Sequence, residues 1–360
     1  MNGNSIIVEI EKINRKNRKK TALLAAAAAL SVLLCFCSGA SGLGISELFR
    51  VLTGAGTDGE KLILLQIRLP RVTAAALAGV GLSVSGCIMQ KVLNNPLASP
   101  STLGVSNGAV FGANCAILLF GAGSVKGAVN GSLTVSNPYT VTICAFAAAF
   151  LGIAVNLVLA AKKRFSSETV VLCGVAVGAF FTAGTTVLQY FSADSQLSSA
   201  VFWSFGDLGR ASFRECVFMS AVIVPAVVFA AIRSRDIDLL EQGGETALSL
   251  GVNVTLLRFV CLILSSLICA VCVSFIGIIG FIGLTAPQAA KRIVGGKMSI
   301  LLPASALCGM ILLLLSDTVA RSVISGVSLP VGAVTSLFGG PVFLWLLLNS
   351  HRGGNAHAFD

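Results

Sequence analysis

The chain has 360 residues, 55% of them hydrophobic and only 11% charged, with mean hydropathy +0.91. A soluble domain of this length needs a far more polar surface, so a soluble enzyme is excluded. The net charge of +10 does not indicate nucleic acid, because the cations sit at the ends of apolar blocks and form no basic stripe with interleaved aromatics.

Spanning the hydrocarbon core takes about 20 mostly apolar residues in a helix. Stretches such as 21–46 and 139–161 meet that requirement without one internal charge. The apolar runs are continuous rather than alternating, which selects helices over a barrel. The predicted fold is therefore all-α, a polytopic transmembrane bundle. Ten spans are predicted, at about 21–43, 69–91, 101–121, 139–161, 169–191, 215–232, 255–275, 279–294, 300–323 and 331–349. Residues 1–20 form a basic N-terminal segment, 21–350 a single transmembrane domain, and 351–360 a polar tail. Lys12 to Lys20 before an apolar run, with small residues at 38–42, also fits a signal peptide; a retained first span is the reading adopted, because the rest of the chain then needs an N-terminus inside. With both termini in the cytoplasm, 17 of the 25 Lys and Arg fall inside, among them Lys162, Lys163, Lys291 and Arg292. This obeys the positive-inside rule.

Eleven cysteines lie in or beside apolar stretches and read as small buried hydrophobes. Cys269 and Cys272 form a C-x-x-C with no second pair and no nearby His, a poor zinc or redox site. The two histidines, His351 and His357, are both in the tail. There is no G-x-x-x-x-G-K-[ST] phosphate loop. No cofactor and no metal site are predicted. Small residues at helical spacing, such as Gly174 and Gly178, read first as helix packing.

Three groups of residues point to function. The loop 233–253, DIDLLEQGGETALSLGV at its centre, is too short and polar to span. Asp238, Leu239, Leu240, Glu241, Gly244, Glu245, Ala247, Leu250 and Gly251 suit docking on a cytoplasmic partner. Arg68 and Arg71 flank the start of the second span, three residues apart and able to share a face. Asp317, the one acid clearly inside an apolar block, sits four residues before Arg321 near the outer end of the ninth span, a spacing for self-pairing.

Several blocks together resemble the FecCD family of permeases. They are IRLPRVTAAALAGVGLSVSGCIMQKVLNNPLASPSTLGVSNGAVFGA at 67–113, VVLCGVAVGAFF at 170–181, FWSFGDL at 202–208, ETALSLGVNVTLLRF at 245–259, IGFIGLTAPQAAKRIVG at 279–295, LLPASALCGMILLLLSDTVAR at 301–321 and LPVGAVTSLFGGPVFLWLLL at 329–348. The resemblance implies a multi-pass permease subunit of the bacterial inner membrane. It implies a second permease subunit, identical or paralogous, two cytoplasmic ABC ATPase subunits and an extracytoplasmic substrate-binding protein. The cargo implied is an iron–siderophore metal chelate, with cobalamin or haem as the alternative; an ion-coupled secondary carrier is a weaker one. By the same resemblance Arg68, Arg71 and Arg321 meet the binding protein. Asn95, Pro96, Gly174, Gly178, Gln189, Trp203, Pro287, Gln288, Pro330 and Gly332 mark the pathway or its helix packing, and the pathway is expected to be mostly apolar. Two positions depart from the family pattern, Gln288 where many members carry His and Ser328 where many carry Glu.

Overall fold

The computed structural model describes residues 3–38, 44–122, 137–163, 165–324 and 328–348. The expected tail 351–360, Lys126, Arg164 and the end of the first expected span lie outside these residues. The described elements are helical. In chain order they are α1 (Gly3–Cys37), α2 (Ile45–Leu52), α3 (Asp58–Lys61), a π-helical turn (Leu62–Arg68), α4 (Leu69–Val92), a short 3-10 turn (Pro100–Leu103), α5 (Val105–Asn114), a second π-helical turn (Cys115–Leu119), α6 (Pro138–Ala161), α7 (Ser167–Tyr190), α8 (Asp194–Ser204), a 3-10 turn (Leu208–Arg210), α9 (Phe213–Ile232), α10 (Ser234–Glu241), α11 (Gly244–Ser249), α12 (Val254–Ile276), α13 (Ile282–Val294), α14 (Met298–Ser322) and α15 (Val331–Leu348).

Among the described residues, seven helical segments are long and apolar enough to cross a membrane: Arg15–Cys37, Asp58–Val92, Pro138–Ala161, Ser167–Tyr190, Phe213–Ile232, Val254–Ile276 and Met298–Ser322. The three remaining expected spans fall on shorter apolar helices, Val105–Leu119, Val331–Leu346 and α13. α13 has 13 residues, about 20 Å of helix, and does not cover the roughly 30 Å hydrocarbon core by itself.

Two boundaries differ from the sequence reading. α1 starts well before residue 21, because its Lys- and Arg-rich approach consists of good helix formers. The second span starts at Asp58 rather than 69. Thr57 and Glu60 form a reciprocal cap there, with Thr57 N–H donating to Glu60 Oε2 at 2.8 Å, and the apolar run 62–67 then continues into α4.

α4 is the central post. It is buried along most of its length and packs against α9, α12, α13 and α14. Small residues permit this. A Cβ on Gly79 would lie 2.6 Å from the Gly309 carbonyl oxygen of α14, and one on Gly86 would strike the Gly283 carbonyl of α13. Without a hydrophobic force between helices in lipid, such close backbone contact and its dispersion energy hold the bundle.

Candidate functional site

The loop predicted to dock a partner folds into α10 and α11, and its residues divide by face. Ile237 and Leu240 of α10 and Ala247 of α11 are buried against Val84, Ile88, Val92 and Leu301. Asp238 accepts hydrogen bonds from the Met298 backbone N–H at 2.9 and 3.1 Å, capping the N-terminus of α14 from a neighbouring helix. It also accepts one from Lys91 Nζ at 3.2 Å, at the end of α4. Glu241 pairs with the same Lys91 and, at 3.2 Å, with Lys291 at the end of α13. Two carboxylates thus fasten α10 to α4, α13 and α14. α11 turns its other face outward: Leu248 and Leu250 are 59% and 61% exposed, beside exposed Glu245. Gly251 ends the helix at φ +84°, which favours glycine. Of the predicted coupling residues, Asp238, Leu240, Glu241 and Ala247 hold the element, while Glu245, Leu250 and Gly251 present it. Leu239 is half-buried, and Gly244 opens α11. Sequence reasoning missed Ile237 and Leu248. The i, i+3 pair Ile237 and Leu240 was the available signal for the inward face.

Burial would raise the Glu241 carboxyl, but the hydrogen bond and charge of Lys91, joined by Lys291, outweigh it and hold the group below the ordinary carboxylate value. A depressed folded value means stability that is full above the unfolded value of about 4.3 and lost as pH falls through the folded value. The clamp is therefore expected to survive neutral pH and to release only in acid below about pH 4. Glu241→Gln should increase proteolytic cleavage between α10 and α11 at pH 7. The wild type should reach that sensitivity only on acidification; equal cleavage of the two at pH 7 contradicts the clamp.

Beside the clamp lies a cavity of about 510 Å³. Asn95, Pro96, Pro287 and Gln288, all predicted pathway candidates, line it together with Gln90, Lys91 and Lys291. Gln288 Nε2 donates to Gln90 Oε1 at 2.7 Å, and Gln90 Nε2 donates to the carbonyls of Gly283 and Leu284, both at 3.3 Å. Asn95 Nδ2 reaches Ser167 Oγ at 3.4 Å, tying the loop after α4 to the start of α7. The lining mixes these amides and ammonium groups with Glu241, Arg292 and the apolar Cys87, Pro96, Pro287 and Leu301; its amides come largely from the end of α4, where Gln90 and Lys91 are followed by Asn94 and Asn95.

The other candidates lie elsewhere. Gly174 and Gly178 pack against the turn before α5, where a Cβ on Gly178 would meet Asn107 at 3.1 Å. Gln189 of α7 donates to Asn114 of α5 at 3.0 Å. Trp203, Pro330 and Gly332 meet at a tight crossing of the α8 end, the loop after α12 and the start of α15. A Cβ on Gly332 would stand 2.9 Å from the Phe205 carbonyl, Val331 N–H donates to Gly206 O at 3.2 Å, and Arg210 stacks over buried Trp203.

At the opposite end of the bundle, the predicted docking arginines turn inward. Asp317, fully buried, receives Arg71 at 2.8 Å and Arg321 at 2.9 Å. Arg321 also donates to the Cys35 and Ser38 carbonyls at 2.8 and 2.7 Å, and Arg68 donates to the Phe36 carbonyl at 2.7 Å. These are the free carbonyls at the C-terminal end of α1, which cations satisfy well. The predicted Asp317–Arg321 pair is present, and Arg71, from α4, extends it into a latch across α1, α4 and α14.

The amino-acid sequence from 27 to 349 matches the model of the FecCD transport family. The chain belongs to that family. A Methanocaldococcus jannaschii protein named as an ABC transporter permease is 44% identical over 90% of this chain and 92% of its own. The hemin transport system permease protein of Yersinia pestis is 36% identical over 90% and 95%. Permease proteins named for Fe(3+)-citrate in Bacillus subtilis and for vitamin B12 in Salmonella typhi are each 35% identical. A solved structure described as an inward-facing metal-chelate type ABC transporter superimposes with a TM-score of 0.80 at 27% identity, covering 92% of this chain and 99% of that one. This FecCD chain is thus a transport subunit of an ABC importer and not its ATPase.

Proposed function

We propose that this FecCD permease carries an iron–siderophore complex across the cytoplasmic membrane by alternating access, as one of two permease subunits served by two ATPases. The observation that carries the reading is the division of α10 and α11: charges fasten them to the ends of α4, α13 and α14, while Leu248 and Leu250 stand bare. Such an element passes a push on its apolar face directly into α4, α13 and α14. An ATPase that binds that face differently in its ATP and ADP states biases the bundle between two arrangements. On this reading the α10–α11 end lies in the cytoplasm and the chain makes ten crossings. The opposite end, where Arg68, Arg71 and Arg321 lock α1, α4 and α14, is the face for the extracytoplasmic binding protein.

The cavity lining supports a chelate as cargo. The amides of Gln90, Asn95 and Gln288 offer hydrogen bonds to the oxygen-rich surface of a ferric siderophore beside apolar Pro96, Pro287 and Leu301, so the metal crosses inside its chelator. The relatives named for hemin and vitamin B12 favour a second reading, in which haem propionates or corrin amides meet the same donors.

Co-purification from membranes in mild detergent tests the assembly. Recovery of a phosphate-loop ATPase and an extracytoplasmic binding protein is expected, while the chain alone hydrolyses no ATP. Recovery of the folded chain by itself across several detergents contradicts the assembly. A ligand screen on the recovered binding protein separates siderophore from haem and cobalamin.

A further inference from the structure

A second cavity, about 560 Å³, opens between α1 and the first turns of α14. Its rim carries Arg18, Lys297 and the Ser299 hydroxyl, and its wall is Ala25, Ile300 and Pro303. No acid lines it. Arg18 and Lys297 are both exposed, and neither pairs with a carboxylate among the described residues. They differ in this from Lys91 and Lys291, which are neutralised by Asp238 and Glu241. Exposed Lys16 and Lys19 add charge to the same end of α1.

The vertical order of the lining matters. From Lys297 to Pro303, and from Arg18 to Ala25, each helix descends about 10 Å, so a cationic rim stands over an apolar wall. Ser299 and Pro303 lie on a face of α14 different from that of buried Met298, Leu301 and Leu302. Around and below the cavity face, α1 exposes Leu23, Leu30 and Leu33, apolar side chains suited to lipid. Pro303 has no N–H, so the Ser299 carbonyl lacks its usual helical donor and remains an acceptor. A cationic rim, an acceptor and a hydroxyl above an apolar wall match a phosphodiester headgroup, its hydroxyl and the start of its acyl chains.

We propose that this cavity binds an anionic phospholipid, of which phosphatidylglycerol is the simplest case. Bound there, the lipid bridges α1 to α14 at the end opposite the Asp317 latch. Basic pockets between helices at the cytoplasmic boundary are suited to such headgroups. The inference uses the membrane placement of the chain and is independent of its cargo.

The test is native mass spectrometry of the purified chain in detergent, with phosphatidylglycerol or phosphatidylcholine added at equal concentration. Wild type should retain the anionic lipid in preference. The double variant R18Q/K297Q should lose roughly twentyfold or more of that preference, at about fivefold per cation. The control K162Q/K163Q removes two exposed cations at the end of α6 and should retain it; size-exclusion chromatography confirms that each variant is folded. Equal retention of both lipids by wild type, or equal loss in the control, overturns the proposal. So does full displacement of the lipid by inorganic phosphate, which marks a site for the anion alone.

Discussion

Asp317→Asn should be the most damaging single substitution in the latch across α1, α4 and α14, lowering stability by about 3–5 kcal/mol. The carboxylate is fully buried and holds two guanidiniums from different helices. Asparagine keeps the volume and removes the charge, leaving Arg71 and Arg321 near each other without their shared anion. Breaking one member of a buried ion network costs far more than the network contributes over an apolar substitute, because the desolvated partners stay behind. Arg71→Ala should cost less, since Arg321 still neutralises Asp317. The check is the fraction of soluble, monodisperse protein after heating in detergent. A midpoint for Asp317→Asn equal to wild type contradicts the latch. The same geometry changes how the docking arginines must be probed. Reversing Arg68 or Arg321 to Glu strips the end of α1 of its cations, so weakened binding-protein docking in such variants has to be read against a stability measurement.

Leu248→Asp with Leu250→Asp should abolish ATP-driven uptake while leaving the fold intact. Both side chains are more than half exposed in the free chain, so polar replacements there cost the monomer little. In a complex each buried leucine contributes about 1.5–3 kcal/mol. Losing two weakens ATPase docking by more than a hundredfold, before the cost of desolvating new carboxylates. The measurement pairs uptake with recovery of the ATPase in pull-down. Ala247→Asp is the instructive contrast: that position is fully buried, so a carboxylate there should unseat α11 and lower stability as well. Wild-type uptake by the Leu248/Leu250 variant contradicts the assignment of this face.

The positions of the long helices were legible because each is dominated by one long apolar run with few internal charges. The outward extension from Asp58 was obscured by Glu60, Lys61 and Arg68, which make 58–68 look like a loop although the run 62–67 is apolar. The Asp317–Arg321 pair could be read from its i, i+4 spacing, but Arg71 could not, because it reaches the site from 246 positions away and only packing of α4 on α14 brings it there. The coupling element was recognisable by being too short and too polar to span. Which of its residues face inward depends on where α4, α13 and α14 end, and that lies in the tertiary arrangement. The amide contact in the cavity was hidden for a similar reason: Gln90 and Gln288 are 198 positions apart, one near the end of α4 and the other midway along α13, and only the packing of those two helices brings them together.

Import of an iron chelate with energy from partner ATPases is tested most directly by reconstituting the co-purified assembly into proteoliposomes, with the binding protein and a radiolabelled ferric siderophore outside. Label should accumulate in the lumen only when ATP reaches the ATPases, and the Leu248/Leu250 variant should remain at background. Accumulation driven by an ion gradient without ATP, or none with any chelate the binding protein holds, contradicts it.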